Sequence, residues 1–297
     1  FKDKGLHNES IDLGFNHKSG LFVNGGYTRN NHGGWQGDLT GREKRWHPKD
    51  QALMNGMFGF QNRNMNVWYR LDFLDEKIFG PNNGSELQPE KVSDKDFLTK
   101  RYTHQLQSDW KLDNRLDVHA ALSYQDYKRR TRTTESDLST GEKWLSSAEA
   151  SQDITQYKAW IARATVAWNI APEFSVQPGV EYQWTQGEGG RIDGTPKVSD
   201  LAFFLSAEYK PWEWLSLRPG VRTFIVADYD APIAIPSVLT KFKLTKHMDL
   251  RLSYAYGFRS PTLQELYFSF HNDNHDIDGN PDLKAEYSHN ITGSVAY

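Results

Sequence analysis

Residues 248–258, Met-Asp-Leu-Arg-Leu-Ser-Tyr-Ala-Tyr-Gly-Phe, alternate strictly between apolar side chains and polar or small ones. The apolar positions are Met248, Leu250, Leu252, Tyr254, Tyr256 and Phe258. A period of two predicts a β-strand with one apolar face and one face that suits water or a tightly filled interior. A second alternating segment runs from 286 to 297, and a long polar segment separates the two.

Segments with the same period recur along the whole chain, and we count about thirteen, many of them about ten residues long. A tilted membrane-spanning strand needs this length. Short turns near 17–20, 61–64, 112–115, 171–173, 211–214 and 246–248 alternate with longer polar stretches near 30–51, 75–96, 131–153, 186–199, 229–236 and 260–286. This rhythm predicts an all-β fold, an antiparallel transmembrane β-barrel with short periplasmic turns and long extracellular loops.

The composition agrees with a barrel. The chain has 297 residues, 37% of them hydrophobic, a mean hydropathy of -0.73, and no run of apolar residues long enough for a transmembrane helix. A barrel exposes only every second residue to lipid, so low hydropathy does not exclude a membrane. Four tryptophans lie at or beside the predicted short turns: Trp110, Trp168, Trp212 and Trp214. We predict that they form an aromatic girdle at the inner membrane boundary, and strand-end aromatics of a soluble core are the alternative.

Several classes of function are disfavoured by the sequence. The net charge of -3 gives no electrostatic reason to expect nucleic acid as a partner. The chain has no cysteine, which excludes thiol catalysis, disulfides and cysteine-based zinc sites. Neither a Gly-x-Ser-x-Gly elbow nor a His-Glu-x-x-His metal motif occurs. We therefore predict that the protein is not an enzyme.

Two short motifs flank the polar segment. Phe258-Arg259-Ser260-Pro261 ends the first strand, and Asn280-Pro281-Asp282-Leu283 precedes the last one. In order and spacing they resemble the paired FRAP and NPNL boxes of TonB-dependent outer-membrane receptors, with Ser260 where alanine is usual and Asp282 where asparagine is common. The resemblance is sharpest over about 50 residues, and the strand-and-loop rhythm extends it along the chain.

The resemblance implies a 22-stranded barrel with an N-terminal plug, in the outer membrane of a Gram-negative bacterium. It also implies uptake of a scarce small molecule, driven by the TonB energy-coupling complex through the plug. Residues 1–297 would then be part of the barrel, and we expect the plug and the last strands to lie outside this sequence. A cobalamin receptor of the same family and a passive porin-like channel are the alternatives, and the paired boxes favour a receptor over a porin.

Histidines in the predicted loops are candidates for ligand contacts. They are His271 and His275, between the two boxes, and His32 and His47, in the first long loop. In haem receptors of this family a loop histidine between the boxes helps to ligate haem iron, and neutral imidazole is a good iron ligand. Trp35 and Trp46 lie beside the first-loop histidines and could stack on a porphyrin. We expect haem or another iron chelate, such as a siderophore, as the transported ligand, and we expect no required cofactor.

Two further clusters have a plainer explanation. Asp273, Asp276 and Asp278 could hold calcium, but they lack the spacing and terminal glutamate of an EF-hand loop. Solvated loop acids are the preferred interpretation, so we predict no metal site. The basic run 128–132, Lys-Arg-Arg-Thr-Arg, lies where a strand enters a long loop. It could contact outer-membrane lipid and lipopolysaccharide phosphates or attract an anionic ligand, and a salt-bridged strand end is the alternative.

Overall fold

The structure is a computed structural model that describes residues 5–148, 150–227, 231–272 and 275–297. Almost all of the described regular structure is β-strand. The strands are β1 (Leu6–Asn16), β2 (Leu21–His32), β3 (Lys49–Gln61), β4 (Met65–Gly80), β5 (Lys91–Lys111), β6 (Leu116–Asp137), β7 (Lys143–Leu145), β8 (Ile154–Ala171), β9 (Phe174–Glu188), β10 (Lys197–Trp212), β11 (Leu215–Ala227), β12 (Ile235–Thr245), β13 (Met248–Arg259), β14 (Ser269–Asn272), β15 (His275–Asp278) and β16 (Glu286–Ala296). A short helix, α1 (Leu263–Tyr267), follows β13.

The main sheet is an antiparallel meander. Its order is β1-β2-β3-β4-β5-β6-β8-β9-β10-β11-β12-β13-β16, which confirms the prediction of about thirteen strands, and β7 pairs with β6 beside this path. The small strands β14 and β15 form a separate hairpin. Among the described residues, β1 and β16 each pair on one side only, so the sheet is open. The antiparallel all-β fold is confirmed, whereas the full count of 22 strands stays a prediction.

The alternation sorts side chains onto two faces of this sheet. Tyr102, Leu106 and Trp110 lie on one face of β5, and each is more than 40% exposed. The other face of the same strand carries Asp109, which accepts a hydrogen bond from Gln107 at 3.0 Å. Apolar side chains that stay exposed in a regular sheet are expected where the neighbouring phase is lipid. The face of Tyr102, Leu106 and Trp110 is called the outer face below, and the opposite one is called the inner face.

Polar side chains on the inner face satisfy one another. Glu181 of β9 is 8% exposed, and its carboxylate accepts hydrogen bonds from Arg222 at 2.8 Å and Gln183 at 2.9 Å. The Arg163 guanidinium lies 3.6 Å from the same carboxylate. A buried charge is tolerated when it is paired and hydrogen-bonded. The inner face is therefore a polar lining, as a barrel interior requires.

The short-turn end carries the predicted tryptophans. Trp110, Trp168, Trp212 and Trp214 are all exposed. The rings of Trp212 and Trp214 stack with centroids 5.3 Å apart and planes within 4°. This arrangement agrees with an aromatic girdle at one membrane boundary. Within the described ranges, no helix is long and apolar enough to cross a membrane.

Several strands are much longer than the ten residues that the alternation predicts. β4 has 16 residues, β5 has 21 and β6 has 22. The predicted loops 30–51, 75–96 and 131–153 therefore shrink to 33–48, 81–90 and 138–153, the last interrupted by β7. A membrane strand spans the hydrocarbon with about 9–11 residues, so about half of β5 and β6 extends beyond it. We missed these extensions because charged and polar residues there resemble loop sequence, although the ladder continues through them.

Candidate functional site

The segment between β13 and β16, residues 260–285, is folded and is called the insert below. Its helix α1 begins with a capping box. The Thr262 hydroxyl accepts a hydrogen bond from the Glu265 backbone N–H at 3.2 Å, and the Thr262 backbone N–H donates to the Glu265 carboxylate at 2.7 Å. The signal Thr-x-x-Glu followed by Leu266 was present in the sequence. We predicted only a polar loop here, so the helix is a correction.

Glu265 joins the two sequence boxes. Its carboxylate receives two hydrogen bonds of 3.0 Å from the Arg259 guanidinium, which also donates to Glu286 at 2.7 and 3.0 Å. The Glu265 backbone carbonyl accepts from the backbone N–H of Asn280 at 2.9 Å. The Arg259 hydrogen bonds, followed by those of Thr262, lower the pKa of Glu265 to about 2. The first box thus holds the side chain of Glu265, and the second box holds its backbone.

The other box residues build the ends of the insert. Pro261 is buried, and the Phe258 ring packs 5.0 Å from that of Phe224. Asn280, Pro281, Asp282 and Leu283 form a turn. In it the Asn280 side-chain oxygen accepts from the Asp282 backbone N–H at 2.9 Å, and the Asn280 carbonyl accepts from the Leu283 N–H at 3.2 Å. Ser260, Asp282 and Leu283 have no described contact with a charged group. Apart from Arg259, the box residues therefore organise the backbone at the ends of the insert.

Glycine is required just before the second box. The Gly279 N–H donates to the Phe268 carbonyl at 2.5 Å, which brings the two backbones close together. A Cβ atom at Gly279 would lie 2.7 Å from the Leu266 backbone. Any other residue would push the turn away from α1. The turn is thus held tightly against the helix.

The insert docks on the loop that joins β9 to β10. The Ser269 N–H donates to the Arg191 carbonyl, and the Asp193 N–H donates to the Tyr267 carbonyl, both at 3.0 Å. Leu266 is 2% exposed, and Leu263, Ile192 and Ala285 are also buried. Ile192 forms a β-bridge with Phe268, next to the end of α1. Since β10, β11 and β12 lie between β9 and β13, the insert reaches across three strands. Nothing in the sequence indicated this contact.

The docked insert lies on the inner side of the sheet. Gln264 of α1 donates to the Tyr157 hydroxyl at 3.0 Å, and a Cβ at Gly187 would lie 2.8 Å from the Leu263 side chain. Tyr157 and Gly187 are opposite one another in register, on the face away from the exposed Trp160. The Arg191 guanidinium also lies 4.3 Å above the Phe270 ring. The insert therefore partly covers the interior at the long-loop end.

The hairpin β14–β15 carries the first predicted histidine. His271 Nδ1 lies 2.5 Å from an Asp276 oxygen, and Nε2 lies 3.1 Å from an Asp278 oxygen. The hydrogen bond with Asp276, then the charge of Asp278, raises the pKa of His271. His271, Asp276 and Asp278 are exposed, and their donor atoms lie within 4.8 Å of one another, so they could hold a metal ion. His275 begins β15, but its side chain lies outside the described part of the structure, as does the whole of Asp273.

The other predicted histidines lie in a different loop. His32 ends β2, its Nδ1 accepts from the Gly34 N–H at 3.2 Å, and its ring lies 6.1 Å from that of Trp46. Trp35 and Trp46 are joined by two backbone hydrogen bonds of 2.9 and 3.0 Å. His47 is exposed beside the end of β4, near Gly80. His32 and His47 lie at the two ends of the loop between β2 and β3, near one edge of the sheet, whereas His271 lies near the other edge.

Comparisons with known proteins agree with this architecture. Residues 151–297 match a family model described as "TonB dependent receptor-like, beta-barrel". No curated protein sequence matches the chain. The fold is similar to the siderophore receptor PirA from Pseudomonas aeruginosa, with a TM-score of 0.72 and 13% identity, over 99% of this chain and 49% of PirA.

Two further solved receptors have the same fold. The ferric enterobactin receptor PfeA (G324V mutant) from Pseudomonas aeruginosa has a TM-score of 0.69 and 14% identity, over 99% of this chain and 49% of PfeA. The siderophore receptor PiuA from Acinetobacter baumannii has a TM-score of 0.64 and 10% identity, over 97% and 52%. The chain thus spans about half the length of these receptors. The family is one of transport receptors, not enzymes. By its paired boxes, its meander and its match to the family model, the chain belongs to the TonB-dependent receptors of the Gram-negative outer membrane and forms part of their β-barrel.

Proposed function

We propose that the protein takes up an iron chelate of the siderophore type across the outer membrane, with energy supplied by the TonB complex through a plug domain. The observation that carries this proposal is the family match, joined to a fold shared over 99% of the chain with PirA and PfeA. PirA is a siderophore receptor, and PfeA is a ferric enterobactin receptor. Their low identity to this chain supports the class of ligand and leaves its chemical identity to experiment.

The docked insert supports gated uptake over a passive pore. A passive channel needs an open interior, whereas here Leu263 and Leu266 are buried where the insert packs at the long-loop end. Ion pairs of Arg259 with Glu265 and Glu286 hold that insert to both neighbouring strands. If the ligand binds a second position of the insert more tightly than the docked one, it shifts the equilibrium toward that position by the difference between the two affinities. This fits a receptor that recognises its ligand before transport.

The chemistry near the insert suits an anionic, aromatic chelate. Arg191 lies above the Phe270 ring, and Tyr157 with Gln264 offers hydrogen-bonding groups close by. Guanidinium groups bind anionic oxygens and stack on aromatic rings. A ferric tris-catecholate presents negative charge together with aromatic rings. We assign Arg191 the role of a ligand contact in this proposal.

Haem is the second candidate, because imidazoles are present at the long-loop end. His32 lies beside Trp46, and His271 is exposed on its hairpin. Both ring nitrogens of His271 already contact carboxylates, so haem iron would have to displace Asp278 or Asp276. The siderophore proposal requires no such exchange. His275 and His47 remain proposed haem contacts under this alternative.

Ligand titrations on the purified protein in detergent separate these ligands. We expect a ferric tris-catecholate to quench tryptophan fluorescence in a saturable way. Arg191→Gln should lower the affinity for this chelate about tenfold, because one charged hydrogen bond is lost. Arg218→Gln is the matched control, because Arg218 pairs with Glu208 on β10 and β11, away from the insert. If haem binds instead with a Soret shift that His271→Ala abolishes, haem is the ligand. Binding of cobalamin alone, or of no chelate, would refute iron uptake.

A further inference from the structure

The basic run at 128–132 is divided between the two faces of β6. The Arg129 guanidinium lies on the inner face, 4.5 Å above the Phe97 ring. Arg132 shares the face of Lys128 and Arg130, and it donates to Asp96 at 2.5 Å. Lys128 and Arg130 are exposed instead. Among the described residues, neither Lys128 nor Arg130 has an ion-pair partner within 4 Å. The run lies inside β6 and not at its end, which corrects the sequence prediction. A salt bridge accounts for Arg132 and not for Lys128 and Arg130.

Lys128 and Arg130 lie on the outer face. β5 and β6 pair without a register shift from Lys91 to Lys111, so each residue's face follows from its parity. Lys128 and Arg130 share the parity of Leu122, which is exposed on the apolar face. On β5, Lys100 shares the parity of Tyr102 and Leu106. Lys100, Lys128 and Arg130 thus stand, together with the paired Arg132, on the surface whose lower part faces lipid.

These cations repel one another. Lys100 and Lys128 are direct cross-strand partners, and Arg130 follows two residues further along the same face. Like charges directly opposite one another destabilise a sheet. The Lys100 ammonium lies 3.8 Å from Asp75, at the far limit of an ion pair. The nearest acid on β6, Asp126, already accepts a hydrogen bond from Gln156 at 2.8 Å. On β5, Asp96 shares this face, but its carboxylate is paired with Lys77 at 3.1 Å and Arg132 at 2.5 Å. The cluster therefore has a deficit of negative charge.

Aromatic rings fix the depth of the cluster in the membrane. The rings of Phe73 and Tyr102 lie 4.8 Å apart, and those of Tyr124 and Trp160 lie 4.4 Å apart. Such rings gather at membrane–water interfaces. Lys100 lies two residues beyond Tyr102, and Lys128 four residues beyond Tyr124, both toward the long loops. The cations therefore lie at the depth of the lipid headgroups in the outer leaflet.

We propose that Lys100, Lys128 and Arg130 form a binding site for the phosphate groups of lipopolysaccharide in the outer leaflet. A phosphate between the cations replaces their mutual repulsion with attraction, and guanidinium binds phosphate oxygens in a fork. Lipopolysaccharide phosphate fits this site because its charge is complementary to the cations and because the cations lie at the depth of the headgroups. The inference rests on the placement of the chain in the outer membrane and is independent of the ligand that is transported.

The test measures binding of lipid A to the full-length protein in nanodiscs of zwitterionic lipid. We expect Lys128→Gln to weaken the binding of bisphosphorylated lipid A about fivefold, and the three glutamine substitutions together to weaken it roughly a hundredfold. The matched control is Arg129→Gln, which removes one charge from the adjacent residue on the opposite face. It should leave lipid A binding unchanged. Heat-modifiable gel mobility confirms that each variant is folded.

Three outcomes would overturn the proposal. One is equal loss of lipid A binding in Lys128→Gln and Arg129→Gln. Another is undiminished binding of dephosphorylated lipid A, since the site is built for phosphate. The third is saturation of the site by inorganic phosphate with no preference for lipid A, which would identify a general anion site. Retained transport in Lys128→Gln agrees with the proposal, because the site lies outside the interior.

Discussion

The leucines of the barrel strands and those of the insert have opposite surroundings. Leu106 of β5 and Leu252 of β13 are 43% and 45% exposed in the protein, whereas Leu266 and Leu263 of the insert are 2% and 7% exposed. The first pair turns toward lipid, which is as apolar as leucine itself. The second pair has only protein to pack against, because the insert stands in water beyond the membrane. Leucine therefore faces lipid in the sheet and packs inside the protein in the insert.

Truncation of a leucine should separate the two regions most strongly. We expect Leu266→Ala to destabilise the docked insert by about 2–5 kcal/mol, because it leaves a cavity in a small core. Leu106→Ala should destabilise the barrel by less than about 1.5 kcal/mol, because lipid chains fill the space that the side chain leaves. Hydrogen exchange of residues 260–285 and 189–196 measures the first effect. Equal protection of these segments in both variants would contradict the proposed difference.

A charge on the outer face should destabilise the strands far more than truncation of the same leucine does. Leu106 lies four residues from both Tyr102 and Trp110, so it is placed near the middle of the membrane. We expect Leu106→Arg to destabilise the barrel by about 2–4 kcal/mol, the cost of an arginine at the bilayer midplane. The control is Gln105→Arg, which adds the same charge to the polar inner face. Denaturant unfolding in lipid vesicles should show the loss only for Leu106→Arg.

A single methyl group at the docking surface tests the contact between the two regions. Gly187→Ala would place its Cβ 2.8 Å from the Leu263 side chain and 3.0 Å from Tyr157. We expect overpacking to destabilise the docked insert by about 1–3 kcal/mol, which should be measured as faster hydrogen exchange in α1. Gly56→Ala of β3 is the matched control, because its Cβ would meet nothing within 4 Å. Unchanged exchange in Gly187→Ala would mean that α1 does not dock there.

Acid should release the insert before it affects the strands. We expect this effect to be smaller than those of the substitutions above. The pKa of Glu265 falls from 4.5 to about 2, so its ion pair with Arg259 stabilises the insert fully above about pH 4.5. That contribution is lost as the pH falls through 4.5 toward 2, because the carboxylate becomes protonated. A spin label at Lys284 should gain mobility over this range. In the Glu265→Gln variant the label should be mobile at all pH values. If the mobility of the label does not change with pH when Glu265 is present, this role of Glu265 is refuted.

Different parts of the structure were predictable to different degrees. Strict alternation around Leu252 and Tyr254 predicted the strands, their faces and the order of the meander, because side-chain period is a local property of an extended backbone. The exposure of Trp110, Trp168, Trp212 and Trp214 at the short-turn end followed from their position beside short turns, and their role as a membrane girdle stays a prediction. The upper halves of β5 and β6 were missed, because Asp96 and Arg132 look like loop residues until they are placed opposite one another. Local composition cannot report such a cross-strand pairing.

The candidate site divides in the same way. The boxes at Phe258–Pro261 and Asn280–Leu283 identified the family and could be found by eye, and the capping box of α1 was visible although we did not use it. The meeting of both boxes at Glu265 required the fold. So did the engagement of His271 by Asp276 and Asp278, since that geometry depends on the register of a four-residue hairpin. The identity of the transported chelate stays a prediction.

From its order of residues alone, the chain is an antiparallel meander with one apolar face, since a period of two needs no information from distant residues. The position of residues 260–285 is different. Whether a polar segment with Leu263 and Leu266 projects into water or folds onto the loop after β9 depends on Ile192 and Arg191, about 70 residues earlier. Tertiary structure decided this, because burial of those leucines requires a partner that is distant in sequence and that only the fold brings within reach.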